Sequence, residues 1–569
     1  MAVQADLERL SASKAAWARA TLDERIAVLQ EIRGRILDQL LPWARTTAAV
    51  RCTSRDGAVA GDVLSTALIV TSQVDGYLRS LQHLQRTGSF PRPPASAVSR
   101  PGQLVVDVFP QGWRERYLSL LGASGCTVQL YLRPGAGETQ GRFYREPHGG
   151  RLAVVLGAGN QHFLALSDAL HMAFVEGCVV LLKYHPIMQP VAPFIDYVLE
   201  PLARRGHFAS STDPDLAVTR LMLYSPLTDC VHMTGGTATH DAIVWGGSPE
   251  EQAQRRAAND PLLKVPITSE LGCVTPWLVV PGPWSQKEVV HHARALAEAL
   301  SSNCSCNCLA PKVLLLAEGW AQGDQLVAAL KAELAELPAP APYYPGIRQR
   351  HEAFQKAYPQ AEAISSGEPA DPGAACGEPL SFLINELPAY PADPAAEYAF
   401  NVEPFAPVLT VVKVPLPEAG PAGSLEEAFM QAAVRSANED LWGSLSCTVL
   451  VHPETEAKYG PAVQAALDGL RYGCVTVNAW SAAGFLPAAG HWGAYGGDQT
   501  IADVGSGLGA VHNSYMFDAT RKAVVRLPFV NAAQPMPAKY SPMPLGLAKA
   551  IAGLMHSGVW GALRMLAAR

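Results

Sequence analysis

Apolar side chains recur at three- and four-residue spacing through ERIAVLQEIRGRILDQLLPWA. Ile26, Leu29, Ile32, Ile36, Leu37 and Leu40 share one face there. The first hundred residues therefore read as helical, closed by a stiff stretch at Pro91, Pro93, Pro94 and Pro101. From about residue 140 the period changes. A short apolar run, LAVVL at 152–156, precedes the turn GAGN and an apolar helix, HFLALSDALHMAFVEG. VVLLK at 179–183 gives the next strand, and PFIDYVLEPLARRG the next helix. LMLYS and CVHMTG continue the alternation. Strand, helix and strand at this spacing predict parallel βαβ units, whose strand C-termini are where such sheets bind ligands.

A second alternating block starts near residue 265. PWLVVPG reads as a strand, VVHHARALAEALSSN as a helix, and KVLLLAEG, LTVVKV, SCTVLVHP and CVTVNAW as strands up to 480. The Pro- and Gly-rich interval 337–395 reads as long surface loops. The tail, LGLAKAIAGLMHSGVWGALRMLAAR, is apolar, with Lys549, Arg564 and Arg569 spread along it. Two readings fit it: a terminal helix packed on the body, or an interfacial membrane helix whose cations reach headgroups.

Composition narrows the class. The 569 residues suggest roughly three to four units. Apolar residues are 49% and charged residues 17%, which excludes a disordered chain. Lys plus Arg is 44 against 51 Asp plus Glu, so no bulk basic footprint offers a nucleic-acid surface. The eleven cysteines are mostly scattered singly, so they do not read as a secreted disulfide framework. No secretory h-region and no uninterrupted apolar run of membrane-span length is evident. The expectation is a cytoplasmic protein, with organelle targeting and peripheral membrane contact through the tail left open.

The most reactive-looking segment is SSNCSCNCLAPKVLLL, with thiols at Cys304, Cys306 and Cys308 between a helix and a strand. Cysteine is the strongest side-chain nucleophile near neutral pH once its thiolate is favoured. C-x-C-x-C without a second Cys or His pair is poor zinc spacing, and no metal is expected. Three buried thiols acting as small hydrophobes is the bland alternative. Elsewhere, SELGCVTPW carries Glu270, and GAGN places Asn160 at the mouth of the first βαβ turn. MTGGTATHDAI sets Gly235 and Gly236 at a strand-to-helix turn where backbone N–H groups can meet a phosphate. VVLLKYHP leaves Lys183 at a strand end, and EPFAPVL supplies Glu403 and Phe405. Each alone is weak.

Taken in order, these segments resemble the aldehyde dehydrogenase superfamily over roughly residues 140–525. YREPHGGRLAVVLGAGN is similar to the family's run into its catalytic asparagine, matching at Glu146, Pro147, Gly149 and Asn160. VVLLKYHP resembles the strand of the cofactor-ribose lysine, Lys183. MTGGTATH resembles F-T-G-S-T-x-x-G through Thr234, Gly235 and Thr237. SELG resembles L-E-L-G-G at Glu270, and NCSCNCLAPK resembles N-x-G-Q-x-C-x-A-P, which makes Cys308 the nucleophile. EPFAPVL resembles E-x-F-G-P at Glu403 and Phe405, and LRYGCVTVN the strand ending at Asn478. Some positions depart. The family's Ser and final Gly of the phosphate turn are Gly236 and His240, and Cys273 follows SELG. Pro186 stands where an acid that disfavours a 2′-phosphate often sits. An extra segment including EEQAQRRAAND precedes Glu270.

The resemblance implies an α/β fold: a Rossmann-type cofactor domain, an α/β catalytic domain and a small oligomerisation hairpin. The expected layout is a mainly helical segment at 1–110, a cofactor domain at 111–267 with the hairpin near 124–147, and a catalytic domain at 268–480. A return to the cofactor and oligomerisation region at 481–535 and an apolar helix at 536–569 complete it. The hairpin is expected from VQLYLRPG and GRFYREP. The implied activity is NAD- or NADP-dependent oxidation of an aldehyde to an acid through a thiohemiacetal and a thioester on Cys308. Asn160 would serve as oxyanion donor and Glu270 as base. Lys183, Thr234, Gly235, Gly236, Thr237, Glu403 and Phe405 would hold the cofactor. The implied assembly is a homodimer or homotetramer. Two other readings compete: a CoA-acylating enzyme of the same fold, and an inactive scaffold or membrane-docked protein.

Overall fold

The computed structural model describes residues 2–96, 102–112, 115, 125–146, 148–366, 376–416, 423–530 and 543–568. Pro101, Pro147 and Arg569, singled out above, lie outside the described residues. Two sheets organise the chain. The first has six strands in the order β16 (Gly507–Leu508), β7 (Ile267–Glu270), β6 (Cys230–Thr234), β3 (Arg151–Leu156), β4 (Cys178–Lys183) and β5 (Phe208–Ser211). All neighbouring pairs in it are parallel except β16 with β7. β3, β4 and β6 are buried on nearly every residue because helices cover both faces, which is why they read as continuous apolar runs.

The second sheet has ten strands: β1 (Val105–Phe109), β2 (Thr127–Leu132), β18 (Thr520–Arg526), β14 (Cys474–Val477), β13 (Ser446–Leu450), β8 (Pro276–Val279), β9 (Val313–Ala317), β12 (Val408–Val414), β11 (Phe382–Glu386) and β10 (Glu362–Ile364). From β18 to β11 it is parallel, with antiparallel strands at both ends. A small antiparallel pair, β15 (His491–Gly493) and β17 (Ala510–His512), stands apart from both sheets.

Three helices open the chain: Ala2–Arg19, Leu22–Val50 and Asp56–Thr87. A capping box at Thr21 and Glu24 starts the second, satisfying N–H groups the first turn cannot. Gly88, at φ 73°, ends the third as a left-handed cap. The first helix packs beside the six-stranded sheet: the Trp17 indole donates to the Ala173 carbonyl of helix Leu164–Phe174 (3.1 Å), and Lys14 pairs with Asp229 just ahead of β6 (2.7 Å). Helix Asp56–Thr87 is long and apolar enough to cross a membrane by length and composition, yet 61% of its most apolar stretch is buried in the fold.

Three sequence expectations change here. GRFYREP is not a strand: Arg142–Arg145 forms one helical turn, with the Arg142 N–H on Asp518 Oδ1 (2.9 Å). Both edges of β2 are filled by β1 and β18, so no free edge remains for a hairpin partner. LMLYS ends a helix, Leu216–Tyr224, capped by Asp215 on the Ala217 N–H (2.8 Å). The interval 337–395 holds helix Ile347–Ala357, β10 and β11 rather than loops alone. Ile347, His351 and Phe354 form the helix's buried face. One pair of cysteines is bonded, and the other nine are free. Cys52, after the second helix, is joined to Cys376 by a disulfide with Cα atoms 6.1 Å apart.

The tail, Leu545–Ala567, doubles back at Ser557 and Gly558. Ala548, Ala552 and Met565 pack with Leu37, Leu40, Leu41, Val59 and Val63 of the N-terminal helices. Arg564 pairs with Asp38. The other face keeps Val559, Trp560, Leu563 and Leu566 exposed, Trp560 by 82%. The two arms touch through glycines: a Cβ at Gly553 would collide with the Gly561 carbonyl, and one at Gly561 with Gly553. Gly553→Val is therefore expected to pry the arms apart. Overpacking of this kind costs about 1–3 kcal/mol. Limited proteolysis should then cut near Ser557 sooner than in the parent protein, and an unchanged digestion time would refute the contact.

Candidate active site

The three thiols lie on a turn that the backbone does not adopt freely. Helix Gln286–Ser301 ends, and Asn303, Cys304 and Ser305 follow at φ 55°, 54° and 57°. Left-handed backbone is rare away from glycine and costs of order 1–2 kcal/mol per residue. Side chains over-determine the turn. Asn303 Nδ2 donates to the carbonyls of Asn160 (2.9 Å) and Cys306 (3.1 Å), Asn307 Nδ2 to Ser302 (3.1 Å), and Lys312 Nζ to Ser305 (3.2 Å). Ser305 stands where the resembling motif has glycine, and it takes a glycine-like conformation.

The turn separates the thiols. Cys304 and Cys306 are buried, and Cys306 Sγ faces the Phe405 carbonyl (3.6 Å). Cys308 keeps partial access to solvent, and its thiol donates to Glu270 Oε1 (3.1 Å). Glu270 ends β7 and is buried. Its second oxygen accepts the Trp492 indole N–H (2.8 Å). Burial pushes the Glu270 carboxyl up to about 7, Cys308 and Trp492 oppose that shift, and Asp168 adds to it. Burial, then the neighbouring Glu270 charge, holds the Cys308 thiol well above its usual range. The pair therefore rests as a neutral thiol beside a carboxyl poised to ionise near neutrality. That is the protonation arrangement a general base needs.

Asn160 follows β3 and is buried. Its side-chain amide donates to the Cys306 carbonyl (3.0 Å), which ties it to the nucleophile turn and leaves its second N–H uncommitted among the described residues. The Cys308 backbone N–H likewise has no partner among the described residues. From behind, Arg51 Nη2 holds the Asn160 carbonyl (3.2 Å) and Gln161 Oε1 (3.1 Å) while Nη1 pairs with Asp62 (2.8 Å).

The glycine turn Gly235–Gly236 follows β6, at the same end of the first sheet as Asn160 and Glu270. Helix Thr237–Trp245 begins after Gly236, which is open to solvent and has no side-chain cap. The Thr237 hydroxyl is buried with no hydrogen-bond partner, at a helix N-terminus whose first N–H groups need an acceptor. Thr234 and Gly235 are occupied otherwise. The Thr234 hydroxyl donates to Asp168 Oδ2 (3.0 Å), and the Gly235 N–H to the Glu270 carbonyl (3.0 Å). They shape the turn. His240 points into the core, away from the opening.

The extra segment forms helix Pro249–Ala258, whose Arg256 pairs with Asp241 of the phosphate helix (2.6 Å) and lies over Trp245. Lys183 ends β4, and burial lowers its ammonium. Glu403 Oε1 is buried without a hydrogen-bond partner, and Oε2 sits so close to Gly272 that a Cβ there would collide with it. A vacant hydroxyl at a helix N-terminus, a lysine and an unsatisfied carboxylate oxygen suit the phosphates and ribose hydroxyls of a dinucleotide. Phe405, at φ 41°, stacks edge-on to Tyr344 at 5.2 Å.

No family model matches the chain, and no curated protein matches it in sequence. Solved structures do. An NAD-dependent aldehyde dehydrogenase from Sinorhizobium meliloti superposes with a TM-score of 0.59 at 16% identity, covering 94% of this chain and 88% of the other. An NADP-dependent glyceraldehyde-3-phosphate dehydrogenase from Bacillus halodurans, complexed with NADP, gives 0.59 at 15% identity, covering 93% and 91%. A mutant aldehyde dehydrogenase from Pseudomonas syringae, complexed with NAD+ and octanal, gives 0.60 at 14% identity, covering 93% and 90%. The chain has the aldehyde dehydrogenase fold.

Within that fold, Cys308, Glu270 and Asn160 converge on one turn, and Gly236, Thr237, Lys183 and Glu403 bring groups able to hold a nucleotide. Trp492, Lys312, Arg51 and Asn303 complete the site and were not read from the sequence as site residues. Lys312 and Asn303 do lie inside the NCSCNCLAPK run, two positions where the motif itself offered a signal. Trp492 and Arg51 offered none, because only folding brings them near. The exposure difference among the thiols is testable. Maleimide labelling read by peptide mass spectrometry is expected to modify Cys308 roughly tenfold faster than Cys304 or Cys306. Equal labelling of the three would dissolve the assignment.

Proposed function

We propose that this protein oxidises an aldehyde to a carboxylic acid, using NAD or NADP, through a covalent intermediate on Cys308. The observation that carries the reading is the direct Cys308–Glu270 hydrogen bond on a turn that also holds Asn160. A fold alone does not fix a reaction, but this constellation supports a specific one.

Glu270 takes the thiol proton, and the Cys308 thiolate attacks the aldehyde carbonyl to give a thiohemiacetal. The free N–H of Asn160 Nδ2 and the Cys308 backbone N–H are the donors available to the oxyanion. Losing one such donor costs about 10²–10³ in rate. A bound nicotinamide would supply the acceptor for the hydride lost from the thiohemiacetal carbon as the thioester forms. Glu270, having passed the thiol proton to solvent, then removes a proton from a water that adds to the thioester carbon; the acid leaves, and the expelled Cys308 thiolate is ready to attack again. In this reading Lys183 and Glu403 would hold the two riboses, and Gly236 with Thr237 the pyrophosphate. With Pro186 in place of an acid beyond Lys183, either cofactor is accommodated by this reading. The buried, oriented carboxylate at Cys308 favours water over CoA as the acyl acceptor.

Cofactor reduction by the purified protein, against NAD and NADP with short, aromatic and long-chain aldehydes, tests this. Cys308→Ser should abolish reduction, while Cys304→Ser and Cys306→Ser retain most of it. Glu270→Gln should slow the burst of reduced cofactor at neutral pH and, at high pH where the thiol ionises unaided, give a burst followed by slow turnover; a wild-type steady state in that variant would remove Glu270 from the base role. The sign of the pH dependence follows from Glu270. It is protonated and idle below about 7 and ionised above, so kcat/KM should climb through pH 7 on the acid side. A flat profile from pH 5 to 9 would contradict a base with that environment.

A further inference from the structure

We propose that Trp492 is a positioning residue: its indole N–H holds Glu270 in the one rotamer that keeps the carboxylate on Cys308. The assignment rests on the role given to Glu270 above. The geometry is a two-point clamp. Glu270 Oε1 accepts from the Cys308 thiol (3.1 Å) and Oε2 from Trp492 Nε1 (2.8 Å). An indole N–H donates and cannot accept, so it bonds the ionised carboxylate more strongly than the neutral acid. A hydroxyl or a water in its place could turn and take a proton from the acid form. The indole thereby fixes the direction of the carboxylate and favours its ionised form.

Trp492 is itself immobile. It sits on β15, 1% exposed, with its ring 4.1 Å from Phe485 and β17 paired along its backbone. The clamp has something to prevent. Around Glu270, His232, Ser269, Leu508 and Val511 pack too closely to admit a water that could replace the indole as donor. Without the indole, Oε2 would be buried with no donor, and a carboxylate that turns to find one leaves the thiol without its base. Besides Cys308, the ionisable groups facing Glu270 are Asp168 from helix Leu164–Phe174 and His232 from β6. Asp168 favours the protonated form and His232 the ionised one. Removing the indole donor shifts the balance toward protonation.

The test removes the N–H and keeps the shape. Replacing Trp492 with β-(3-benzothienyl)alanine puts sulfur where the donor was, and Trp492→Phe provides a natural second variant. The first readout needs no turnover: iodoacetamide alkylation of Cys308 as a function of pH, followed by mass spectrometry of its peptide. Its midpoint is expected to move up by about one pH unit in the sulfur variant. The second readout, at pH 9, is the burst of reduced cofactor against steady-state turnover, with turnover falling at least about tenfold while the burst survives. A purely structural role lowers stability and leaves the alkylation midpoint in place. An unmoved midpoint with the melting temperature preserved overturns the assignment. If aldehyde and cofactor give no reduction even in the parent protein, the proposed function fails, and the alkylation midpoint still decides for or against the clamp.

Discussion

A carboxylate buried at the end of one sheet must be matched by donors from elsewhere, and that demand organises this protein. Removing an ion from water costs several kcal/mol unless hydrogen bonds replace its hydration. Glu270 finds one donor on the nucleophile turn and one on the β15–β17 pair, more than two hundred residues away in sequence. Both must be in place for the charge to be tolerated. The site therefore depends on the 480–530 segment as much as on its own strand. That segment threads back as β16 beside β7, and Ser506 takes the Leu271 N–H on its carbonyl and gives its hydroxyl to the Gly272 carbonyl (both 2.8 Å).

The nucleophile turn shows the same logic with strain in place of charge. Three consecutive left-handed residues would not persist in isolation. Asn303, Asn307 and Lys312 hold them, and Asn303 in turn reaches the Asn160 carbonyl. Strain is useful here because it buries Cys304 and Cys306 while leaving Cys308 at the opening. A relaxed turn of alternating residues would present neighbouring thiols less selectively. The turn thus converts a chemically ambiguous C-x-C-x-C run into one accessible sulfur.

Local pattern made most of the fold legible, and order made the core of the site legible. β3, β4, β8, β9, β12, β13 and β14 fall on the apolar runs read as strands, because buried parallel strands announce themselves by continuous apolarity. LMLYS deceived for the same reason: a short apolar run does not reveal its period, and Asp215 caps it as a helix. Helix Ile347–Ala357 was hidden by the Pro and Gly on either side of it. GRFYREP failed as a strand because β2 had no edge left to offer, a fact that belongs to the whole sheet. Cys308, Glu270 and Asn160 were readable because each sits in a motif at a strand or helix end. Trp492 and Arg51 were not, since no local pattern marks a residue whose only role is its distant neighbour.

The first helices show how far that non-local support extends. Arg51 closes helix Leu22–Val50 as its C-terminal cap and reaches past Asp62 to the backbone of Asn160 and the side chain of Gln161. Next to it, Cys52 is tied to Cys376, just before β11 of the ten-stranded sheet. The N-terminal helices thus reach the loop after β3 through Arg51, where Asn160 meets the nucleophile turn, and the segment before β11 through Cys52. Asp62 and Arg51 are both withdrawn from water, and breaking such a pair leaves a buried charge that costs about 3–5 kcal/mol. The helical segment that resembled the fold family least in sequence is therefore fastened to the residues that resembled it most. Its packing, not its motif content, keeps Asn160 against the loop that carries Cys308.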